Sequence, residues 1–179
     1  MNPNERDLRI TALAERSSYV ENVLRHALVS SLASVFWGRD PSLSLQVFNS
    51  EVDDSGFDVV LGLGGRVRYV QLKQTHEGKL PPNCSVRLSF ASLPGACVVL
   101  MSHTLKELRL SQFHFFGASP SEPLPSIEGF RKPMKPGRRN AAGERKIREN
   151  YRKVPTSRFH GPFTLEELAD ALFPAAHEA

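Results

Sequence analysis

Three residues of this 179-residue chain have the types and spacing to handle a divalent cation and a phosphodiester together: Asp58, Gln71 and Lys73. Asp58 offers a hard anionic oxygen and Gln71 a side-chain carbonyl. The Leu72 backbone carbonyl is a further oxygen ligand for Mg²⁺ or Mn²⁺. A cation so held lowers the pKa of a water and offsets the charge that grows on a phosphate during hydrolysis. Lys73 would orient that water or stabilise the pentacovalent state electrostatically.

The elements that must position this trio read as a hairpin. Phe57 to Leu63 and Arg66 to Lys73 are β-rich runs separated by Gly64-Gly65, and two glycines in a two-residue turn supply the positive φ angles it needs. With Leu63 facing Arg66, Asp58 is expected opposite Gln71, and alternation puts Lys73 on the same face. Phe57, Val59, Leu61, Val70 and Leu72 then form the greasy opposite face. Asp58 and Lys73 also admit a plainer reading, an edge ion pair that contributes little at a surface. Glu51, Asp53 and Asp54 read as turn-formers ahead of the hairpin, with Glu51 or Asp53 as a further ligand in the alternative.

Upstream, Ser17 to Phe36 carries an apolar stripe at three- and four-residue intervals (Tyr19, Val20, Val23, Leu24, Ala27, Leu28, Leu32, Val35) and predicts a helix. Ser18-x-x-Glu21 has capping-box spacing at its start, and Gly38 follows its end. A weaker helical pattern covers Glu5 to Glu15. Leu43 to Phe48 alternates as a strand, and Ser85 to Leu93 fits a strand or a short helix. Ala96 to Met101 predicts a buried strand and Gln112 to Phe116 a short one. Helix, strand, hairpin and further strands imply an α/β (α+β) fold with a mixed sheet flanked by helices.

Gly56-Phe57-Asp58-Val59-Val60 followed by Tyr69-Val70-Gln71-Leu72-Lys73 resembles the D…(E/Q)-x-K signature of the PD-(D/E)XK, or restriction-endonuclease-like, nuclease superfamily, in the glutamine variant of its Mrr-like branch. The resemblance covers about Ser17 to Met101. It implies a Mg²⁺-dependent endonuclease with Asp58, Gln71 and Lys73 as its active site. It also implies that Glu21, on the helix before the sheet, joins the metal site; the competing role for Glu21 is the capping box. Two features depart from the family pattern. Gln71 stands where an acid is usual, which removes one negative charge, and prolines occupy His76 to Pro94, where the family has a helix. The layout is also similar to a set of small bacterial proteins with E-V-D-x-x-G-[FY]-D and Q-L-K, a likeness that implies no activity.

Beyond residue 116 the chain changes character. Ser119 to Pro136 holds five prolines and reads as an extended wrap or linker. From Arg131 to Lys153 there are ten Lys or Arg against two Glu, a local +8 that leaves −4 for the rest of the net +4 chain. Such a segment suits a polyanion, and Arg138, Arg139, Arg145, Lys146, Arg148, Arg152 and Lys153 are its candidate phosphate contacts; a solvated loop is the plain alternative. Lys146 to Tyr151 fits a short helix that sets Tyr151 among cations. Thr164-Leu165-Glu166-Glu167 is a capping box opening a last helix that stops at Pro174. The divisions expected are a core over 1–116, a proline-rich and basic extension over 117–163, and a helix and tail over 164–179.

Other chemistries are poorly served. No helix follows Gly62 to Gly65, so a nucleotide loop is not expected there. The six histidines lack zinc spacing. His114 reads as a strand histidine, while His76 and Lys79 either meet a phosphate or sit in a solvated loop. Cys84 and Cys97 read as packed, reduced thiols. Met1 to Arg16 has no apolar run, so neither a secretory signal nor a membrane partner is expected and the cytoplasm is the expected compartment. The expected partner is nucleic acid, DNA ahead of RNA, and a homodimer is compatible with the family. Two alternatives remain open: an inactive nucleic-acid-binding module of the same fold, and a protein–protein adaptor in a defence or toxin–antitoxin system.

Overall fold

Leu24, Leu28, Leu32 and Phe36, with Val20 ahead of them, are buried at four-residue spacing on one helix, which organises one side of the molecule. The computed structural model describes residues 1–48, 56–135 and 145–175. Helix α1 (Pro3–Glu15) runs into α2 (Ser17–Arg39) with only Arg16 between them. Six strands form a mixed sheet: β1 (Gln46–Phe48), β2 (Val59–Leu63), β3 (Arg66–His76), β5 (Ala96–His103), β6 (Leu110–Gly117) and β8 (His160–Phe163), in the order β1-β2-β3-β5-β6-β8. Only β3 and β5 are parallel. Strands β4 (Asn83–Arg87) and β7 (Tyr151–Pro155) pair as a separate ribbon, and short α3 (Leu88–Ala91) and α4 (Leu165–Leu172) complete the fold.

The sheet is covered on both faces, hence the eight successive buried residues of β5. On the helix side, α2 and α4 pack on Val59, Leu61, Val70, Val99 and Phe113. On the ribbon side, Val86, Phe90, Val154, Leu124 and Ile127 cover Val98, Leu100 and Phe116, with Phe57 and Tyr69 packed against them. The segments downstream of residue 116 thus supply β7, β8 and α4 to these two clusters.

The diglycine hairpin forms as expected: φ is +55° at Gly64 and +76° at Gly65, and Leu63 pairs with Arg66. The Thr164–Glu167 capping box is present in full. Other expectations are corrected. Arg16 caps α2 without a side-chain bond, so Ser18 and Glu21 form no capping box, because α1 leads directly into the helix. Gly38 lies inside α2, which ends at Arg39, and Tyr19 is 64 % exposed, outside the stripe. Strand character over Leu43 to Phe48 is confined to Gln46–Phe48, although Leu43 and Leu45 still pack on the core. Ser85 to Leu93 is both readings in succession, β4 then α3. No helix forms at Lys146 to Tyr151: Ile147 bridges Met134, Arg148 N–H donates to the Pro133 carbonyl at 2.8 Å, and Glu149-Asn150 is a turn closed by the Tyr151 N–H on the Arg148 carbonyl at 3.1 Å. Tyr151 nonetheless meets a cation, the Arg148 guanidinium 3.5 Å from its ring centre. Glu51, Asp53, Asp54, Arg138 and Arg139 lie outside the described residues. Among the described residues no helix is long and apolar enough to cross a membrane.

Candidate active site

The end of β2 determines the geometry. Val59 pairs with Val70, yet the N–H of Asp58 also donates to the Val70 carbonyl, at 2.9 Å. Two consecutive residues facing one partner make a β-bulge, which breaks strict alternation. The packing on either side agrees: Phe57 meets the Tyr69 ring at 5.2 Å on the ribbon side, while Val59 is buried on the helix side. Phe57 therefore does not share a face with Val59, and Asp58 is displaced from the rung opposite Gln71. The bulge diverts its carboxylate sideways, where Oδ2 accepts from the Leu72 N–H at 2.6 Å. Val70 turns its N–H and carbonyl toward β2, so Leu72, two residues on, turns its carbonyl to that same vacated edge.

A cleft of about 360 Å³ lies there. Glu21, Asn22 and Arg25 of α2 line one wall, Leu72, Lys73 and Gln74 of β3 another, and Asp58 and Met101 complete it. Glu21, Asp58, Leu72 and Lys73 are thus brought together. Glu21 is exposed and has no hydrogen bond or ion pair among the described residues. Lys73 also approaches the ribbon side: burial pushes the Cys84 thiol up to about 11, and the neighbouring Lys73 charge offsets part of that rise.

Gln71 is not part of the lining. It is 7 % exposed, its amide nitrogen donates to the Gly56 carbonyl at 3.0 Å, and its amide oxygen has no partner among the described residues. Sequence reasoning missed Asn22, Arg25 and Gln74. Arg25 lies one helical turn beyond Glu21, a spacing that places both on one face, and its guanidinium donates to Asn22 Oδ1 at 3.0 Å. Gln74 follows Leu72 by two strand positions, and its amide oxygen, too, is buried without a partner among the described residues.

The cation expected here is tested by the donor set. Glu21, Asp58 and the Leu72 carbonyl are hard oxygens, and Mg²⁺ needs only one or two protein carboxylates, its remaining positions going to water and phosphate. Among the described residues no group of three His, Cys, Asp or Glu is placed to hold a metal, so an all-protein cage is not what the cleft provides. The residues present fit a shared, substrate-completed site.

The basic residues sit elsewhere. Arg145, Lys146, Arg148, Arg152 and Lys153 do not line the cleft. Arg152 is committed to the carbonyls of Glu128, Glu149 and Tyr151 at 2.7–3.1 Å. His114 is a partly buried strand histidine held toward its neutral form by burial. Comparison with known proteins gave no match: no family model, no curated protein and no solved structure is similar to this chain.

Proposed function

We propose that the chain is a Mg²⁺-dependent phosphodiester hydrolase acting on nucleic acid, DNA ahead of RNA. The observation that carries the reading is the meeting of Glu21, Asp58, Leu72 and Lys73 in one cleft. Two acids and a backbone carbonyl there can hold a hard cation, and an ammonium group beside them can balance charge on a phosphate. A bound Mg²⁺ would contribute Lewis acidity, lowering the pKa of a water and offsetting phosphate charge. Asp58 caps the Leu72 N–H at the strand edge and supplies the first anionic ligand. Lys73 acts as the charge-stabilising group and Glu21 as the second anionic ligand. The test is cleavage of single- and double-stranded DNA and of RNA in Mg²⁺ or Mn²⁺. Wild type is expected to cut and Lys73→Ala to be inactive with its fold intact; a Lys73→Ala protein that cuts normally removes the reading.

One observation favours a second reading, an inactive binding module of the same architecture: Gln71 spends its amide on the Gly56 carbonyl and stands outside the cleft. Calorimetry with Mg²⁺ separates the two, because an inactive relic shows no cation binding that depends on Asp58.

A further inference from the structure

Directly beside the cleft, and sharing Gln74 with it, opens a second groove of about 470 Å³. Its walls are α1, through Leu13, and the loop after β3, through Leu80, Pro81 and Pro82. His76, Lys79 and His103 supply its polar groups. We propose that this groove seats one unpaired nucleotide of a single-stranded nucleic acid, next to the phosphate held in the cleft. The inference rests on the phosphodiester reading of the cleft and names the substrate form that reading leaves open.

The chemistry along β3 changes in the order a nucleotide requires. At Leu72 to Gln74 the strand faces Arg25, Glu21 and Asp58, a charged end suited to a phosphate and its cation. At Gln74 to His76 it faces apolar walls with a few polar groups, suited to a base. Leu72, Gln74 and His76 share one face of β3 and span about 13 Å at the usual strand rise, enough for a sugar and base beside a phosphate. Lys79 adds a cation where the next phosphate would emerge. The Gln74 amide oxygen, buried without a partner among the described residues, stands at the junction as an acceptor for a ligand N–H. Nδ1 of His76 lies 3.1 Å from the Glu77 carbonyl, and Nδ1 of His103 lies 3.1 Å from that of Thr104. Donation from Nδ1 directs the His76 ring so that its Nε2 is the nitrogen left for a ligand in the groove.

The wall is preformed. The Thr75 hydroxyl donates to the Lys79 carbonyl and the Thr156 hydroxyl to the Pro81 carbonyl. The Thr156 N–H donates to the Pro82 carbonyl at 3.1 Å. Yet Leu80 in this pinned loop is 50 % exposed, an apolar side chain held out where a base can lie against it. Walls on two sides admit a base only when it has left its stack and its pair, which costs least for a single strand.

The test is fluorescence anisotropy in EDTA, where no cleavage intervenes, with a short labelled single strand and the duplex of the same sequence. Wild type is expected to bind the single strand at least about tenfold more tightly than the duplex. Leu80→Asp and His76→Ala should each weaken single-strand binding by roughly tenfold, the effect of one lost base contact, with duplex binding and thermal stability unchanged. Equal or tighter duplex binding overturns the proposal, as do groove variants that bind like wild type. Groove-dependent binding with no cleavage in Mg²⁺ or Mn²⁺ supports the groove and removes the hydrolytic reading instead. Cleavage confined to duplex and unaffected by Leu80→Asp does the reverse.

Discussion

The carboxylate of Asp58 takes the place of a β-rung, accepting the Leu72 N–H at 2.6 Å where β2 has already ended. One side chain therefore has a structural role beside the chemical one proposed for it, and two substitutions separate them. Asp58→Asn keeps an oxygen for the Leu72 N–H and loses the charge. Asp58→Ala also strands that donor, at a cost of about 1 kcal/mol, since water can reach this exposed position. Both variants are expected to lose at least about a hundredfold in Mg²⁺-dependent cleavage, consistent with removal of a charged ligand. Only Asp58→Ala should melt lower, by about 2–4 °C. Wild-type cleavage by Asp58→Asn would remove Asp58 from the chemistry.

Gln71 gives a less intuitive expectation. Glutamate is the usual residue at this place in the family the motif resembles, yet here the amide N–H₂ serves the Gly56 carbonyl at 3.0 Å. Gln71→Glu replaces that donor with a buried carboxylate facing a carbonyl oxygen. In EDTA it should be destabilised by about 2–3 kcal/mol, the cost of an unmatched buried polar pair. Added Mg²⁺ should restore much of the loss if the new carboxylate reaches the cation. Melting with and without Mg²⁺ reads both; a melting temperature that ignores Mg²⁺ separates residue 71 from the cation site.

The contrast between Asp58 and its neighbours explains what the sequence reveals and what it hides. Gly64-Gly65 fixes the hairpin because the turn needs positive φ locally, and the α2 stripe and the Thr164 cap are local as well. The bulge at Asp58 is not local: it depends on Phe57 finding the Tyr69 ring across the strand while Val59 turns to α2. Alternation counted from the turn therefore holds as far as Val59 and fails one residue later, at the one position whose direction matters most. Strands β7 and β8 are polar or proline-bearing and exist through pairing with β4 and β6, distant in sequence. Arg25 and Gln74 were legible in spacing, four residues from Glu21 and two from Leu72, once the cleft was known to lie between α2 and β3.

The two thiols give a pH dependence. Burial pushes Cys84 up to about 11 and Cys97 up to about 12, from an ordinary value of 9.0. A raised folded value means the native state keeps its protons while unfolded thiols release theirs. Stability is then full below pH 9 and falls as pH rises beyond it, approaching about 1.4 kcal/mol per pH unit for each thiol. Urea titrations between pH 8 and about 10 should show this slope, and Cys84→Ala should halve it. In native protein at neutral pH neither thiol should react with a thiol reagent, and both should react on unfolding. Rapid native labelling of Cys84 would contradict its burial.

Among the described residues Arg68 is the largest fully buried side chain and no acid pairs with it; it serves instead as a cap. Its Nε donates to the Leu172 carbonyl at 2.7 Å and Nη2 to that of Ala171 at 3.1 Å, while the guanidinium lies 5.7 Å from the Phe115 ring centre. Burial holds its pKa below the ordinary value. It thus ties the C-terminal end of α4 to β3, the strand that carries Leu72 and Lys73. Arg68→Met fills much of the volume but strands two helix-end carbonyls, while releasing a buried charge whose Nη1 has no partner among the described residues, so the two effects partly cancel at a net cost of about 1–2 kcal/mol. Arg68→Ala adds a cavity beneath α4 and should cost about 3–5 kcal/mol. Urea denaturation measures the pair, and hydrogen exchange should find the amides of Leu168 and Ala169 the first of the core to lose protection. An Arg68→Ala protein as stable as wild type would mean that α4 is held by its apolar face and its Arg39 contacts without the Arg68 cap.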